Sequence, residues 1–311
     1  MPLQLLLDTD PGVDDSMAIL FALQSPELDV LGLTTVFGNG GVGQTTCNAL
    51  RVLEVAGRSD IPVAAGAATP LMRPYRGRGA VVHGEDGLGN NFFPPPKTQP
   101  LSELAAAFIA RTVLNHPGEI TLIAVGPLTN LALAARLEPR IVSAVKGVIV
   151  MGGAAHCAGN ISPVAEANVY NDPEAAAVVF SVGWPLTMVG LDVTMRTVMT
   201  QAYLDELALA RNPLTDFIAR ISPHYFNFYH QHYGLDGVYT HDPSAIAYAI
   251  DPSLFRTERA PIFVETEGRC AGQTVADKRK QWVESPEVNI CIGVDSARLL
   301  KLFKERLTHP R

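Results

Sequence analysis

Long runs of basic residues are absent from this sequence. Its 311 residues include 24 Lys and Arg against 31 Asp and Glu, so the net charge is −7, and the longest uninterrupted run of cationic residues is the three at 278–280. Proteins that bind nucleic acid normally concentrate Lys and Arg on one surface, because that surface neutralises phosphates. We therefore expect no nucleic-acid partner.

Long hydrophobic runs are also absent, although 47% of the residues are hydrophobic. No apolar segment approaches the roughly 20 residues that a membrane-spanning helix needs. The N-terminal segment MPLQLLLDTDPG lacks the basic start and the apolar stretch of about 7 to 15 residues that define a signal peptide. These features predict a cytoplasmic protein with no membrane partner.

Cysteine and tryptophan are scarce as well. Of the two tryptophans, Trp184 precedes Pro185 and a predicted strand, which favours a packing role, and Trp282 offers no stronger signal. The cysteines are far apart and form no CxxC pair, so we expect reduced thiols rather than a disulfide framework or a zinc site. They are Cys47, Cys157, Cys270 and Cys291.

Short apolar runs alternate with longer segments of helical periodicity, a pattern typical of βαβ units. It predicts an α/β fold with an open, mostly parallel, Rossmann-like central sheet flanked by helices, in one domain spanning residues 1–311. Strands are predicted at 3–7, 30–36, 120–125, 148–151 and 186–190, with edge strands at 262–265 and 288–294. Helices are predicted at 14–24, 44–56, 101–115, 173–181, 216–230 and 296–307.

Four carboxylates follow the first predicted strand, in the segment Asp8-Thr9-Asp10-Pro11-Gly12-Val13-Asp14-Asp15. Ligands of open parallel sheets bind at the carboxyl ends of the strands, where this segment lies. Crowded carboxylates repel each other, and oxygen ligands on a tight turn suit Ca²⁺ or Mg²⁺. Strand alternation places Asp8 and Asp10 on one face, so that both could reach one ion. The alternative, N-capping of the next helix, explains one or two of the four carboxylates.

Segment 8–15 is similar to the DxDPGxDD signature of the inosine-uridine preferring nucleoside hydrolases. Further blocks occur in that family's order: VFGN at 36–39, HGE at 83–85, VGPLTN at 125–130, MGG at 151–153, NISPVAEAN at 160–168 and HDP at 241–243. The resemblance implies the nucleoside hydrolase fold. It also implies calcium-dependent hydrolysis of the N-glycosidic bond of ribonucleosides, which gives ribose and a free nucleobase in nucleoside salvage.

The resemblance assigns roles to individual residues. Asp10 would accept the proton of the attacking water, and His241 would give a proton or a hydrogen bond to the departing base. Calcium would be bound by Asp10, Asp15, the backbone carbonyl of Val125 and Asp242. The substrate would be bound by Asp14, Asn39, His83, Met151, Asn160, Glu166, Asn168 and Tyr229.

Two positions depart from the family's pattern. The family usually has Thr where this chain has Val125, a change that a carbonyl ligand tolerates. It commonly has Phe where this chain has Ala167, which predicts a wider pocket and bears on base preference. Strictly purine-preferring members stack the base between tryptophans, whereas this chain has His83 and His241 in the corresponding blocks. It therefore resembles the broad or pyrimidine- and inosine-preferring members.

Other interpretations remain open at this stage. Taken singly, Asn39 is typical of a turn, Met151 of a core and His241 of a structural histidine. A phosphatase-like enzyme would use Asp8 as its nucleophile, but the required downstream Lys and acidic pair are not evident. A calcium-dependent sugar or nucleoside binding protein would need the same ligands without turnover. Family analogy further implies a homotetramer, or else a dimer.

Overall fold

A computed structural model describes residues 1–77, 79–279 and 285–310 of the chain. The strands are β1 (Leu3–Thr9), β2 (Leu28–Thr35), β3 (Val63–Ala65), β4 (Thr121–Ala124), β5 (Gly147–Met151), β6 (Leu186–Val189), β7 (Val198–Thr200), β8 (Gly237–Tyr239), β9 (Phe255–Val264), β10 (Thr274–Ala276) and β11 (Glu287–Val294). The helices are α1 (Val13–Leu23), α2 (Val42–Val55), α3 (Ala80–His83), α4 (Ala105–Asn115), α5 (Thr129–Leu137), α6 (Ile141–Ala144), α7 (Ala167–Asn171), α8 (Pro173–Ser181), α9 (Leu191–Thr194), α10 (Gln201–Ala208), α11 (Pro213–Tyr233), α12 (Asp242–Ile250) and α13 (Ser296–Thr308).

One large sheet organises these elements. Its strand order is β10-β9-β11-β6-β5-β4-β1-β2-β3. Neighbours from β11 to β3 are parallel, whereas β9 pairs antiparallel with both β11 and β10. Strands β7 and β8 form a separate antiparallel pair. The predicted α/β class, with a mostly parallel central sheet between helices, is confirmed.

The strand order places a crevice beside β1. Strands β2 and β3 extend the sheet on one side of β1, whereas β4, β5 and β6 extend it on the other. Where the order switches direction, the loops that follow adjacent strands separate and leave a crevice at the carboxyl ends. The loop after β1 carries Asp10, and the loop after β4 begins at Val125. Two of the predicted metal ligands therefore lie at this crevice.

Both faces of the sheet are buried. Leu5 and Leu7 of β1 contribute to a core with α1, α2, α11, α12 and α13, whereas Leu6 belongs to a second core with α4, α5 and α8. A strand covered on both faces needs apolar side chains on both, which explains the run Leu5-Leu6-Leu7 in β1. Trp184 is buried in the second core and donates its Nε1–H to a backbone carbonyl, while Trp282 lies outside the described residues.

Some boundaries differ from the predictions. The helix predicted at 101–115 begins at Ala105, because Leu101 instead pairs with Ala64 as a β-bridge. The helix predicted at 216–230 is longer in the structure. It begins at Pro213, since Asn212 caps it with a side-chain oxygen that accepts two backbone N–H groups.

The two segments predicted as edge strands lie inside the sheet. Strand β11 pairs with β6 and β9, and β9 pairs with β11 and β10, so β10 forms that edge. The prediction was wrong because β10 has only three residues, too few for a periodic pattern. Within the described ranges, no helix has both the length and the hydrophobicity to cross a membrane.

Candidate active site

Three carboxylates from segments far apart in the sequence meet at the crevice. One carboxylate oxygen from each of Asp14, Asp15 and Asp242 lies within 4.8 Å of the other two, and all three residues are buried. Asp14 and Asp15 belong to the first turn of α1, and Asp242 begins α12. The cluster thus depends on the packing of α1 against α12, which carries the sequence-distant Asp242 to the end of β1.

Asp10 is connected to this cluster through Asn39. The backbone N–H of Asn39 donates to Oδ2 of Asp10 at 2.7 Å, and its side-chain Nδ2 donates to Oδ2 of Asp15 at 2.9 Å. The N–H of Asp10 donates to Oδ1 of Asp15 at 3.1 Å. Two glycines leave the space that the Asp10 carboxylate fills. A Cβ at Gly126 would lie 2.5 Å from Oδ1 of Asp10, and one at Gly38 would collide with Oδ2.

The four carboxylates of Asp10, Asp14, Asp15 and Asp242 are crowded together. Burial, and then neighbouring carboxylates, raise the pKa of Asp10 and of Asp242 well above the usual value. Burial also raises the pKa of Asp15, and it raises the pKa of Asp14 to about 6. Across the described ranges, no Lys or Arg forms an ion pair with these four groups, and the nearest basic side chain is His83, 3.8 Å from Oδ1 of Asp14.

Such a cluster fits a hard divalent cation. Oδ1 of Asp10 and Oδ1 of Asp14 are buried and lack a hydrogen-bond partner among the residues described. An unpartnered buried oxygen is costly, and a bound cation would satisfy it while relieving the repulsion. The Val125 carbonyl accepts a hydrogen bond from Nδ2 of Asn168 at 2.8 Å, and its second lone pair remains for a ligand. The buried Asp cluster can therefore hold a metal ion.

Asp8 is hydrogen-bonded to residues outside the cluster. Its Oδ1 accepts hydrogen bonds from the Thr34 hydroxyl on β2 and from Nδ2 of Asn130 on α5. Burial raises the pKa of Asp8 to about 7. Because β1 ends at Thr9, strand alternation does not carry through to Asp10, and the two side chains have different partners. A buried Asp8 that is bonded to two side chains does not suit a phosphatase-like nucleophile.

A cavity of about 310 Å³ opens above the carboxylates. Pockets for small molecules commonly occupy about 300–1,000 Å³. Asp10 and Asp15 lie beneath its surface, at 1% and 0% exposure. The other predicted site residues all line the cavity: Asp14, Asn39, His83, Val125, Met151, Asn160, Glu166, Asn168, Tyr229, His241 and Asp242.

One wall of the cavity is polar and held by backbone groups. Glu166 caps the N-terminus of α7 and accepts the N–H of Asn168 at 2.8 Å, and its other oxygen accepts the N–H of Gly153 at 3.0 Å. Burial raises the pKa of Glu166, and these N–H donors oppose that shift. Oδ1 of Asn160 accepts the N–H of Ala167 at 3.0 Å. These bonds fix the side chains before any ligand arrives.

The facing wall is aromatic. His83 is the last residue of α3, and it is buried. Its Nδ1 accepts the N–H of Val13 at 3.1 Å, and its ring stacks on Tyr225 with centroids 5.2 Å apart. Burial lowers the pKa of His83 to about 4. The ring is therefore neutral, and its proton lies on Nε2.

A chain of hydrogen bonds runs from His241 to Asp14. Nε2 of His241 lies 3.0 Å from the Tyr229 hydroxyl, which lies 3.4 Å from the Tyr225 hydroxyl. Tyr225 donates to Oδ2 of Asp14 at 2.9 Å. On the other side of the imidazole, Nδ1 of His241 lies 2.8 Å from Oγ1 of Thr194. Burial lowers the pKa of His241 to about 3.

The sequence analysis did not identify two residues of this hydrogen-bond chain, Tyr225 and Thr194. Tyr225 is four residues before Tyr229 on α11, so helical spacing could have placed both hydroxyls on one face. Thr194 ends the one-turn helix α9, and no local pattern links it to His241.

Comparison with known proteins gives a consistent result. A family model described as inosine-uridine preferring nucleoside hydrolase matches residues 5–301. The chain is 42% identical over 312 residues to probable uridine nucleosidase 2 of Arabidopsis thaliana, covering 98% of this chain and 97% of that protein. It is 42% identical over 298 residues to the inosine-uridine preferring nucleoside hydrolase of Leishmania major, covering 95% and 94%. The solved plant nucleoside hydrolase PpNRh1 has 40% identity, full coverage of both chains and a TM-score of 0.97.

These matches extend over almost the entire chain, in sequence and in backbone geometry. They include every segment that contributes to the cavity and to the carboxylates below it. The resemblance first suggested by the DxDPGxDD segment is thus confirmed. The chain belongs to the inosine-uridine preferring nucleoside hydrolase family.

Proposed function

We propose that this chain hydrolyses the N-glycosidic bond of ribonucleosides with Ca²⁺ as cofactor, releasing ribose and the free nucleobase. The observation that carries the proposal is a buried carboxylate cluster directly beneath a cavity of about 310 Å³. A neutral nucleoside brings no phosphate into this acidic surrounding, so it enters without charge repulsion. Family membership supports the same reaction.

The Ca²⁺ would be held by Asp10, Asp15, the Val125 carbonyl and Asp242. A donor set made only of oxygens favours a hard cation over zinc, which prefers nitrogen and sulfur. Ca²⁺ takes about six to eight oxygens, so positions remain for water and for ribose hydroxyls. When bound, the ion lowers the pKa of water and orients the sugar.

Asp10 would accept the proton of the attacking water. Its Oδ1 is unpartnered within the described part of the chain, while Oδ2 is held by the N–H of Asn39. The carboxylate is thus fixed in orientation, with one oxygen available. A carboxylate held in this way can take a proton from a water bound beside it.

The polar wall would bind the ribose. Sugar hydroxyls both donate and accept, so they need carboxylates and amides together. Glu166 retains lone pairs beyond its backbone partners, and its carboxylate favours the positive charge that develops on the ribose as the bond breaks. The full ribose-binding set would be Asp14, Asn39, Met151, Asn160, Glu166 and Asn168.

The aromatic wall would receive the nucleobase. His241 and Tyr229 would assist its departure, and His83 would border it. Both ring nitrogens of His241 face hydroxyls rather than a carboxylate, so its surroundings favour a neutral ring that donates a hydrogen bond over one that transfers a full proton.

Base preference is proposed as broad, or as pyrimidine- and inosine-preferring. Among the described residues no tryptophan lines the cavity, and Ala167 lines it where the family commonly has Phe. The names of the Arabidopsis and Leishmania relatives refer to uridine and to inosine and uridine. The proposal further includes a single domain of residues 1–311, a homotetramer or dimer, a cytoplasmic location and a part in nucleoside salvage.

A nucleoside panel tests the proposal. Purified protein is incubated with uridine, cytidine, inosine and adenosine, with added Ca²⁺ or with a chelator, and released reducing sugar is measured. We expect turnover with Ca²⁺, strong loss with chelator and recovery on adding Ca²⁺ back. Calcium-dependent binding without sugar release would support the non-enzymatic alternative, and turnover unaffected by chelation would contradict the metal assignment.

A further inference from the structure

Thr194 lies outside every motif of the family resemblance and yet contacts His241. Its Oγ1 is 2.8 Å from Nδ1 of His241, and its side chain is fully buried. The other imidazole nitrogen, Nε2, is 3.0 Å from the Tyr229 hydroxyl. Each ring nitrogen therefore faces a hydroxyl that can either donate or accept, and the direction of each bond decides which nitrogen carries the proton.

The hydroxyl proton of Thr194 determines the direction of its hydrogen bond with Nδ1 of His241. A buried hydroxyl donor without an acceptor is strongly disfavoured. Among the described residues, Nδ1 of His241 is the one hydrogen-bond partner of the Thr194 hydroxyl. Thr194 therefore donates and Nδ1 accepts, so the single proton of the neutral imidazole lies on Nε2.

The other end of this chain of hydrogen bonds, at Asp14, is consistent with the same direction. Tyr225 donates its hydroxyl proton to Oδ2 of Asp14 at 2.9 Å, since a carboxylate oxygen accepts hydrogen bonds. The Tyr225 oxygen can then accept from Tyr229 at 3.4 Å, and the Tyr229 oxygen can accept from Nε2 of His241. Every donor thus points from Thr194 toward Asp14, and no two protons compete for one contact. The opposite tautomer would leave the Thr194 proton without an acceptor.

We propose that Thr194 is a positioning residue that donates to Nδ1 of His241 and so holds the tautomer with its proton on Nε2. The catalytic consequence rests on the proposed function. His241 and Tyr229 both line the cavity, and a departing base gains negative charge that a donor on this wall stabilises. In the free protein Nε2–H is donated to Tyr229, and a base entering the cavity would take this donor over from Tyr229. A proton on Nδ1 would face Thr194 instead and could not be turned toward the base.

The kinetic test compares Thr194→Val, which removes the hydroxyl at similar shape, with Thr194→Ser, which keeps it. For Thr194→Val we expect about a tenfold lower kcat on nucleosides, the effect of one neutral hydrogen bond. We expect little change in KM or in kcat on an activated aryl riboside, whose leaving group needs no help. Thr194→Ser should restore the nucleoside rate. Equal losses on both substrate types, or a serine variant as impaired as the valine variant, would overturn the proposal.

A spectroscopic test is independent of turnover. Nitrogen-15 NMR of histidine-labelled protein distinguishes the two neutral tautomers, and the spectrum of His241→Ala identifies the His241 signals. We expect the Nε2–H tautomer in the wild type and in Thr194→Ser, and a mixture in Thr194→Val. A wild-type Nδ1–H tautomer would refute the role of Thr194 even if nucleosides are hydrolysed. The Nε2–H tautomer in a protein that cleaves no nucleoside would place the failure in the proposed function instead.

Discussion

The side-chain amide of Asn39 donates a hydrogen bond to Oδ2 of Asp15 over 2.9 Å. Its backbone N–H meanwhile holds Oδ2 of Asp10 at 2.7 Å. A single residue in the loop after β2 therefore orients two carboxylates that follow β1. On the proposed assignment Asn39 would orient two metal ligands, and losing such an orienting group commonly lowers metal affinity.

We expect Asn39→Ala to weaken metal-dependent activity about 10- to 100-fold, the usual effect of losing an orienting partner. The backbone bond to Asp10 survives the substitution, so the loss should be partial. Titration of activity with Ca²⁺ measures it, and excess Ca²⁺ should recover part of the rate. An unchanged Ca²⁺ requirement with a raised KM alone would indicate that Asn39 contacts only the ribose.

Asp10→Ala should remove nearly all turnover and leave the fold intact. Loss of a general base commonly costs about 10²- to 10⁴-fold, and here a proposed metal ligand is lost as well. Steady-state rates on uridine and inosine measure the effect. In chelator, thermal unfolding of the variant should match or exceed that of the wild type, because one crowded buried carboxylate is gone.

The matched control for Asp10 is Asp29→Ala, since Asp29 is an exposed aspartate on β2. Its rates should equal those of the wild type. If Asp10→Ala itself kept wild-type rates on every ribonucleoside, its assigned role would be wrong.

His241→Ala should lower kcat by an amount that depends on the leaving base. Removal of one donor to developing negative charge costs about 10²- to 10³-fold, and poor leaving groups depend on it most. Rates on uridine, inosine and an activated aryl riboside provide the comparison, with exposed His116→Ala as control. A uniform loss on all three substrates would argue against assistance to the leaving group.

The metal-free protein should become less stable as the pH rises from about 4 to about 7. Burial raises the pKa of Asp14 to about 6 and of Asp8 to about 7, whereas an unfolded Asp titrates near about 3.9. The folded state therefore binds more protons within this interval, and the free energy of unfolding falls with increasing pH. Thermal unfolding in chelator across this range measures it. Ca²⁺ should flatten the dependence, and a metal-free protein that gains stability with pH would contradict the cause given.

The sequence predicted the parts of the molecule that depend on local pattern. Alternating apolar runs and helical segments gave the parallel sheet, and the carboxylates after β1 indicated the end of the sheet at which a cavity lies. Asp242 could be connected to them only through the family resemblance. Its approach depends on the packing of α1 against α12, which no local pattern specifies.

The interactions that the sequence could not predict are long-range hydrogen bonds. Thr194 reaches His241 from a one-turn helix, and Asn130 of α5 binds Asp8 of β1. Helices of one turn carry no periodic signal, and threonine and asparagine are common throughout folded chains. Asp8 shows the limit of strand alternation. The alternation rule holds only within a strand, and β1 ends one residue after Asp8.

The two glycines beside Asp10 have a consequence for how this enzyme can change over evolution. Gly38 and Gly126 come from different strand ends, and neither leaves room for even a methyl group against the carboxylate. These contacts restrict the side chain of Asp10 to one orientation. An alanine at either glycine position would force the Asp10 carboxylate into a different orientation. Substitutions at the rim of the cavity can change substrate preference. Substitutions of the two glycines that enclose Asp10 cannot be accommodated in the same way.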